Sequence, residues 1–345
     1  MEKKAIKETR MEYRALGKTG LSVSRLGLGG IPVQRTDAEG ARALVGELLR
    51  HGVNFIDTAR AYTVSEALLG EALLGVRDRF VLATKSMART REAMEKDLAK
   101  SLEDLRTDYI DLYQIHNPGA KDLEVVTAPG GALEALMAAK AAGRIGHIGI
   151  TLHSAELFAV AVELPWVETI MFPYNLVETQ GEELIAACAE RGIAFIAMKP
   201  LAGGAIEDAA TALRFIAQNP HVTVVIPGMA EVAEVERNVA AVADAAPLSE
   251  EELATVEKTR KTLGTSFCRR CGYCAPCTVG INIPAVFLFE GYHSRYDLKD
   301  WAQVRYATLA TKASACIGCG ACEARCPYHL PIRDMMKRAA ATLEE

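Results

Sequence analysis

The chain has 345 residues, half of them hydrophobic, and a formal net charge of −5 at pH 7. This length can bury one large core and a smaller second one. The acidic balance disfavours nucleic acid and anionic membrane surfaces as partners. The basic N-terminal stretch has no apolar region behind it, and no segment approaches the roughly 20 apolar residues of a membrane span. We therefore expect a cytoplasmic protein that binds neither nucleic acid nor membrane.

Short β-branched runs alternate with amphipathic helical stretches from residue 22 to about residue 245, a pattern typical of repeated βα units and a parallel sheet. Eight strands are predicted, at residues 23–29, 54–59, 80–85, 109–116, 147–153, 169–174, 194–200 and 222–228. Eight consecutive βα units fit a closed barrel better than an open sheet. The sequence therefore predicts an α/β protein built on a (β/α)8 barrel of the TIM type.

Barrel active sites lie at the C-terminal ends of the strands. The polar residues that end the apolar runs are therefore the candidates: Asp57, Lys85, His116, Thr151 or His153, Asn175 and Lys199. After the eighth unit, Ser249 followed by Glu252 forms a capping-box pattern ahead of a helix. With about 14 residues at 1.5 Å each, this helix would climb about 20 Å. We expect it to return the chain to the catalytic rim.

Four motifs occur in order at successive strand ends: YRALGKTGLSVSRLGLGG, NFIDTARAY, ATKS and DLYQIHN. With them, the segment from about residue 12 to residue 245 resembles the aldo-keto reductase family, and the barrel domain is predicted to span residues 12–262. The resemblance implies a catalytic tetrad of Asp57, Tyr62, Lys85 and His116. One departure is Thr63, which stands where the family usually has glycine after the tyrosine.

These residue types suit reduction of a carbonyl by hydride. Negative charge builds on the oxygen, so a proton donor must stand beside it. Tyr62 can give the proton, and a neighbouring Lys85 cation would favour its release. Asp57 would keep Lys85 charged and oriented, while His116 would hydrogen-bond the carbonyl oxygen. A single strand-end Asp or Lys could instead be a cap or a solvated charge, and it is the four in order that favour catalysis.

The resemblance implies a nicotinamide cofactor, NADH or NADPH, extended across strands five to eight. The GLGG at 27–30 is not a dinucleotide fingerprint, because the later glycine and the acidic residue are missing. Amides of Leu201, Gly203 and Gly204 would face the pyrophosphate with help from Lys199. The full predicted set is Thr151, His153, Lys199, Leu201, Gly203, Gly204, Gly228, Arg237 and Asn238, with Asn238 at the adenine.

Two parts of the usual cofactor grip differ. Where many members hold the nicotinamide amide with Ser-Asn and Gln, this chain has Thr151, Leu152 and Met171, and His153 could compensate. Where NADPH-dependent members place Lys and Arg, it has Gly228 and Glu234, and a carboxylate repels a phosphate. We therefore expect NADH to be accepted at least as well as NADPH, unless Arg237 supplies the positive charge.

Eight of the nine cysteines follow residue 265, and the ninth, Cys188, is predicted to be a small buried hydrophobe. The eight form a C-x2-C-x2-C-x2-C run and a C-x2-C-x2-C-x3-C-P run: Cys268, Cys271, Cys274, Cys277, Cys316, Cys319, Cys322 and Cys326. Three close thiolates plus a remote fourth suit a cubane cluster, whereas zinc usually takes two spaced pairs. Two 4Fe-4S clusters are predicted, with one cluster or zinc as alternatives.

In two-cluster ferredoxins the fourth cysteine of each run serves the other cluster. Cys326 would then join the first three cysteines of the first run, and Cys277 the first three of the second. The long, helical-looking spacer between the runs resembles a helical ferredoxin. Residues 263–345 are therefore predicted to form a mostly helical ferredoxin-like domain. The whole chain resembles the subgroup of aldo-keto reductases with such a C-terminal domain.

The predicted function is reversible reduction of an aldehyde or ketone, so the substrate is a small carbonyl or alcohol compound. The clusters serve either electron transfer or structure. The alternative is an electron-transfer or redox-sensing module that binds nicotinamide and passes electrons to a partner protein. Hydride carries two electrons and a cubane takes one at a time, so direct exchange normally needs a flavin. A flavin bound at the barrel mouth is left as an open alternative, although no sequence motif supports it.

Overall fold

The computed structural model describes residues 11–344. The chain begins with an antiparallel hairpin of β1 (Tyr13–Ala15) and β2 (Ser22–Ser24). Leu16 and Val23 of this hairpin pack against Phe55, Val81 and other residues inside the barrel. The hairpin therefore closes one end of the barrel.

Eight parallel strands form the barrel: β3 (Gly27–Gly29), β4 (Phe55–Asp57), β5 (Val81–Ser86), β6 (Ile110–His116), β7 (Ile145–Thr151), β8 (Thr169–Pro173), β9 (Ala194–Met198) and β10 (Val224–Ile226). They pair in sequence order, and single bridges from Leu26 to Val225 and from Gly29 to Gly228 join the last strand to the first. The predicted barrel is confirmed. One predicted strand, 23–29, is divided, because its first part pairs in the hairpin and its last part in the barrel.

Helices cover the outside of the barrel, one or two after each strand. They are α1 (Ala38–Arg50), α2 (Ser65–Ala72), α3 (Arg91–Asp104), α4 (Ala120–Thr127), α5 (Ala132–Ala141), α6 (Ala155–Val162), α7 (Glu182–Arg191), α8 (Ala209–Gln218) and α9 (Val232–Ala243). Side chains cap several of their N-termini, as Asp37 does by accepting a hydrogen bond from the Gly40 amide at 2.8 Å. Their apolar faces and the outer faces of the strands form the largest core cluster, which includes Cys188.

The inner face of the barrel changes from apolar to polar along the strands. Phe55, Val81, Ala83 and Leu112 pack together inside it. Because alternate residues of a strand share a face, Asp57, Lys85 and Gln114 continue the same inner rows one step toward the C-terminal end. The interior of the barrel is therefore filled with apolar side chains toward the N-terminal ends of the strands and is polar at the mouth.

Helix α10 (Glu250–Gly264) brings the chain back to this mouth. Ser249 and Glu252 form the predicted capping box, with the Ser249 amide donating to Glu252 at 2.8 Å. Near the other end of the helix, the Arg260 guanidinium donates to the Leu176 carbonyl, just beyond β8, at 3.0 Å. Phe267 follows and packs beside Leu176 and Ala202. The C-terminal domain, which follows α10, therefore starts at the barrel rim.

This C-terminal domain is helical, with α11 (Ile283–Ser294), α12 (Lys299–Ala307), α13 (Ala321–Ala324) and α14 (Ile332–Leu343). It lies against the barrel mouth: Arg295 donates to the Gly203 carbonyl at 3.0 Å, and Arg35 donates to the Tyr296 carbonyl at 3.3 Å. None of the helices described is both long and apolar enough to span a bilayer.

Candidate active site

A buried ion pair lies at the mouth end of β4 and β5. The Lys85 ammonium donates to Asp57 Oδ2 at 2.5 Å and to the Thr58 carbonyl at 2.8 Å, and both side chains are almost fully buried. Burial lowers the pKa of Lys85 and raises the pKa of Asp57, while their mutual attraction opposes both changes. These two hydrogen bonds therefore hold the Lys85 ammonium in place at the mouth of the barrel.

Gln114 is a third member of this group that the sequence analysis did not select. Its Nε2 donates to Asp57 Oδ1 at 3.0 Å, and its Oε1 is buried without a hydrogen-bond partner among the residues described. The alternation along β6, which places Gln114 between inward-facing Leu112 and His116, was the signal that pointed to it. Gln114 therefore positions the Asp57 carboxylate, which in turn positions the Lys85 ammonium.

Tyr62 lies in the loop after β4, beside this pair. The Lys85 ammonium is 5.0 Å from the centroid of the Tyr62 ring, and the side chain is 8% exposed. Within the described chain, no protein group hydrogen-bonds its hydroxyl. Thr63, the departure noted above, has a left-handed φ of 38°, and its hydroxyl donates to Gln34 Oε1 at 2.7 Å. The loop thus presents a phenol whose hydroxyl is open to a ligand.

His116 completes the group. Its ring and that of Tyr62 meet edge to face at a centroid distance of 6.2 Å. The Nδ1 atom of His116 is buried and has no partner among the described residues. Burial, followed by the charges of Lys85 and Arg89, lowers the pKa of His116 well below its ordinary value. The imidazole is therefore neutral and can donate a hydrogen bond without carrying charge. The structure brings all four predicted tetrad residues together.

The pKa of Tyr62 departs in a direction that the sequence did not indicate. Burial, then the charge of Asp57, raises it well above its ordinary value. Lys85, which was expected to favour the phenolate, makes its hydrogen bonds to Asp57 and Thr58 instead. Tyr62 is consequently a neutral phenol, which is the protonation state of a proton donor.

A cavity of about 250 Å3 opens beside the tetrad and extends over β8, β9 and β10 to the start of α9. Its walls are formed by Gly29, Gly30, Ile31, Pro32, Arg35, Asp57, Tyr62, Met171, Met198, Lys199, Pro200, Leu201, Gly203, Gly204, Ile226, Gly228, Glu234, Arg295 and Tyr296. Five of the nine predicted cofactor residues are among them: Lys199, Leu201, Gly203, Gly204 and Gly228.

Two glycines shape one wall of this cavity. Gly203 and Gly204 have φ values of 65° and 82°, which disfavour other residues. A Cβ on Gly203 would stand 3.3 Å from the Tyr296 ring, and one on Gly204 would stand 3.3 Å from Arg295. This narrow cradle of backbone, with Lys199 beside it, suits an extended anionic ligand such as a dinucleotide. Burial and the charge of Arg270 lower the pKa of Lys199, and an adjacent anion would restore its charge.

The eight C-terminal cysteines line two cavities within the helical domain. One is lined by Cys268, Cys271, Cys274 and Cys326, and the other by Cys277, Cys316, Cys319 and Cys322. Each cavity combines three cysteines of one run with the last cysteine of the other. Burial raises the pKa of the Cys274 thiol to about 12, so a thiolate there needs the charge of a metal. The donor sets fit two iron–sulfur cubanes.

Residues 25–211, more than half of the chain, match the Aldo/keto reductase family. The chain belongs to this family. L-Galactose dehydrogenase of Arabidopsis thaliana is 28% identical over 302 residues, which cover 72% of this chain and 94% of that protein. An aldo-keto reductase of Bacillus subtilis is 33% identical over 199 residues, which cover 52% and 59%. The holo form of an aldo-keto reductase from Bacillus halodurans matches with a TM-score of 0.63 and 27% identity, covering 72% of this chain and 96% of that one.

In this aldo/keto reductase, residues 267–331 match a 4Fe-4S dicluster domain. The range contains every cysteine of both runs. The predicted combination of a barrel with a ferredoxin-type C-terminal domain is therefore confirmed.

Four predicted cofactor residues of the reductase lie outside the cavity described above. Thr151 Oγ1 accepts a hydrogen bond from the Asn117 amide at 3.0 Å, and His153 Nδ1 lies 3.1 Å from Asn117 Oδ1. Arg237 is exposed on α9 and Asn238 is buried. Thr151 and His153 thus shape the loop after β6, which adjoins the tetrad rather than the cavity.

Glu234 lies at the far end of the cavity. Its carboxylate accepts hydrogen bonds from the amides of Ala230 at 2.7 Å and Glu231 at 3.0 Å. These amides lie immediately before α9, at the kind of helix end that commonly binds phosphate. In this aldo/keto reductase a carboxylate already fills that position.

The C-terminal domain supplies site residues that sequence analysis did not select. Arg295 and Tyr296 line the cavity. The Trp301 ring meets the Tyr62 ring edge to face at 6.4 Å. The only sequence signal for these contacts was the expectation that α10 returns the chain to the rim. The candidate active site is therefore built from both domains.

Proposed function

We propose that this aldo/keto reductase reduces an aldehyde or ketone, reversibly, with a nicotinamide dinucleotide as hydride donor. The observation that carries the proposal is the buried group of Asp57, Lys85, Tyr62 and His116 at the inner end of a cavity with a glycine cradle. A bound nicotinamide would supply hydride to the carbonyl carbon. Residues of the chain would supply the proton, orient the carbonyl and provide the positive charge.

Tyr62 gives its hydroxyl proton to the carbonyl oxygen as that oxygen gains negative charge. Its raised pKa keeps the proton in place until an alkoxide, which is more basic than a phenolate, forms next to it. Neutral His116 donates a hydrogen bond to the same oxygen and orients the carbonyl. Lys85, held by Asp57, supplies positive charge near the phenolate that Tyr62 becomes.

The cofactor is held, in this proposal, by the amides of Leu201, Gly203 and Gly204 around the pyrophosphate, with Lys199 as a charge. Arg295 and Tyr296 cover this cradle from the C-terminal domain. Glu234 occupies the amides that a 2′-phosphate would need. NADH is therefore the proposed cofactor. The ratio of kcat/KM for NADH to that for NADPH measures this, and a strong NADPH preference contradicts it.

A matched pair of variants tests the role of Glu234. E234S should lower the KM for NADPH because it removes the carboxylate, and it should leave the KM for NADH nearly unchanged. Glu236 lies on the solvent face of the same helix and does not line the cavity. E236S should therefore leave both KM values unchanged. Equal NADPH affinity in wild type and E234S contradicts the assignment.

The cysteines are proposed to hold two 4Fe-4S clusters, one in each cavity. A hydrogen-bond chain from the first cavity to the cofactor cavity supports a role in electron transfer. The Arg270 amide donates to Cys268 Sγ at 3.4 Å, and its guanidinium donates to Glu178 at 2.9 Å. Asn175 donates to Glu178 at 2.8 Å and to the carbonyl of Lys199 at 2.9 Å. The same chain favours a second candidate function, an electron-transfer module that serves a partner protein.

Anaerobic purification with iron, sulfide, flavin and nicotinamide quantified together tests these assignments. Two cubanes require eight iron and eight sulfide per chain by their composition. Loss of the visible cluster absorbance on addition of NADH would support electron transfer, whereas an unchanged spectrum would favour a structural role. A flavin, if found, would be the group that divides hydride into single electrons.

The substitution Y62F separates an enzyme from a module. As an enzyme, the variant should lose carbonyl reduction by a factor of about 1,000 or more while binding the cofactor as wild type does. Y109F, which changes a tyrosine on the surface, is the matched control and should keep full activity. Unchanged activity in Y62F would overturn the reductase assignment.

A further inference from the structure

Arg305 brings a guanidinium from the C-terminal domain to the catalytic mouth. It lies on α12, and its guanidinium carbon is 5.7 Å from the Trp301 ring centroid and 5.5 Å from that of Phe289. The same Trp301 ring meets the Tyr62 ring at 6.4 Å. One aromatic ring therefore separates Arg305 from the proposed proton donor.

The charge of Arg305 is uncompensated. Among residues 11–344, the Arg305 guanidinium forms no salt bridge and donates no hydrogen bond. Three other arginines around the mouth are paired with carboxylates: Arg270 with Glu178 at 2.9 Å, Arg295 with Glu290 at 3.3 Å, and Arg89 with Asp122 at 3.2 Å. Arg35 has no carboxylate partner among the described residues, but it donates to the Tyr296 carbonyl at 3.3 Å. Arg305 is partly buried on aromatic faces, which hold a guanidinium in place and leave its donors for another group.

The surroundings of Arg305 at the mouth are also cationic. After burial, the largest influences on the pKa of His116 are the positive charges of Lys85, Arg89, Arg305 and Lys199. Lys85 is paired with Asp57. One NH2 group of Arg89 donates to the carbonyls of His116 and Asn117, and the other is buried without a partner among the residues described. The substrate side of the tetrad therefore has guanidinium donors in excess of acceptors.

We propose that Arg305 binds an anionic group of the substrate, so that the carbonyl compound reduced here carries a carboxylate or a phosphate. A guanidinium recognises either group through two parallel hydrogen bonds. Trp301 would cover the apolar part of the substrate between that group and the carbonyl. The proposal rests on the proposed reductase function and adds the substrate class, with specificity supplied by the C-terminal domain.

Three aldehydes that differ in charge test the proposal: 4-carboxybenzaldehyde, 4-formylphenyl phosphate and the neutral methyl 4-formylbenzoate. Wild-type holoenzyme should reduce at least one charged aldehyde with a kcat/KM at least tenfold above that for the ester. R305M keeps the length of the side chain and loses the charge. It should lower kcat/KM for the charged aldehyde at least tenfold, through KM, and leave the value for the ester unchanged. R305K should restore part of the loss. The preferred charged aldehyde distinguishes carboxylate from phosphate.

R338M removes an arginine on the surface of α14 and should behave as wild type with all three aldehydes. Cofactor affinity should be equal in wild type and R305M, because a decrease would assign Arg305 to the cofactor and overturn the proposal. Equal kcat/KM for the ester and both charged aldehydes would overturn it as well, while leaving the reductase function intact.

A binding experiment separates the proposal from the reductase function. Cyclohexanecarboxylate should change the fluorescence of Trp301 in the wild-type protein and not in R305M. If none of the aldehydes is reduced, this titration still decides whether Arg305 binds an anion. No fluorescence response in the wild-type protein would overturn the anion site.

Discussion

Aliphatic and aromatic side chains fill the barrel and the layer between its strands and helices. The C-terminal domain instead wraps a small apolar core of residues such as Val286, Phe287 and Met336 around two cysteine-lined cavities. Cys274 and Cys326 are themselves part of that core. Burial of apolar surface scales with domain size, so the barrel can be stable by packing alone. We expect the small domain to need metal as well.

The polar groups of the two regions differ in the same way. The barrel holds the ion pair of Lys85 with Asp57, in which both side chains are buried, inside a frame of strands. The C-terminal domain docks on the rim through surface loops and places Arg295, Tyr296 and Trp301 at the site. The proposed chemistry thus lies in the barrel, and part of the wall of the site comes from the domain that we expect to depend on metal for its order. Four measurements of stability test this contrast.

The largest effect is expected from the cluster cysteines. In the double variant C271S/C319S each cavity loses one ligand, so the C-terminal domain should lose α11, α12 and α14, because metal binding supplies on the order of 10 kcal/mol to small metal domains. Far-UV circular dichroism should report the lost helix, and limited proteolysis should cut after residue 264 while the barrel resists. The variant C188A, at a buried barrel cysteine, is the control. Wild-type helix content and protease resistance in the double variant would show that packing alone suffices.

The next effect concerns the buried pair in the barrel. K85M leaves the Asp57 carboxylate buried without its cation, and breaking such a pair costs about 3 to 5 kcal/mol. Urea denaturation should show this loss, together with loss of carbonyl reduction. The double variant D57N/K85M, with no buried charge left, should recover much of the stability but none of the activity. A double variant as unstable as K85M would mean that packing around residue 85, and not charge, causes the loss.

The sequence was sufficient for the barrel and for the residues on its strands. Each strand is an apolar run, and the residues at the mouth continue the alternation along it; Gln114 follows this alternation too, although it was not selected from the sequence. The division of residues 23–29 between a hairpin and the barrel was not predictable, because Arg25 and Leu26 have no turn signal between the two pairings. The position of the cysteine cavities agrees with the spacing of the two runs.

The other wall of the site could not be predicted. Tyr296, Trp301 and Arg305 lie in the spacer between the two cysteine runs, and their place at the mouth depends on how α11 and α12 pack after α10 has returned the chain. No local pattern encodes that packing. The pKa of Tyr62 was also beyond the sequence, since its direction is set by burial beneath this second domain.

A smaller effect is expected from pH. The pKa of His116 is lowered well below 6.5 in the folded protein by burial and by Lys85, Arg89, Arg305 and Lys199. The unfolded chain therefore binds a proton at a pH where the folded protein does not. The titration of His116 therefore does not change the free energy of unfolding above about pH 6.5. Below that pH it lowers the free energy of unfolding by up to about 1.4 kcal/mol per pH unit.

Thermal unfolding between pH 7.5 and pH 5.5 measures this difference. H116N cannot take up the proton, so it should lose less stability over that range than the wild-type protein does. H221N, at an exposed histidine, should follow the wild-type curve. His153, whose pKa is also lowered by burial, should leave part of the pH dependence in H116N. Parallel curves for wild type and H116N would contradict the buried neutral state of His116.

The smallest effect is expected at Thr63, where the barrel loop that presents Tyr62 is strained. A left-handed φ costs a side chain with a Cβ about 1 to 2 kcal/mol, and T63G removes that cost. It also removes the hydrogen bond to Gln34, worth about 1 kcal/mol, and adds the unfolded-state entropy of glycine, about 0.5 to 1 kcal/mol. These contributions nearly cancel, so urea denaturation of T63G should stay within about 1 kcal/mol of wild type. T63V keeps the strain and loses the hydrogen bond, so it should be less stable than T63G. The reverse order of the two variants would show that the hydroxyl of Thr63 contributes little and that the loop tolerates a β-branched residue in this conformation without strain.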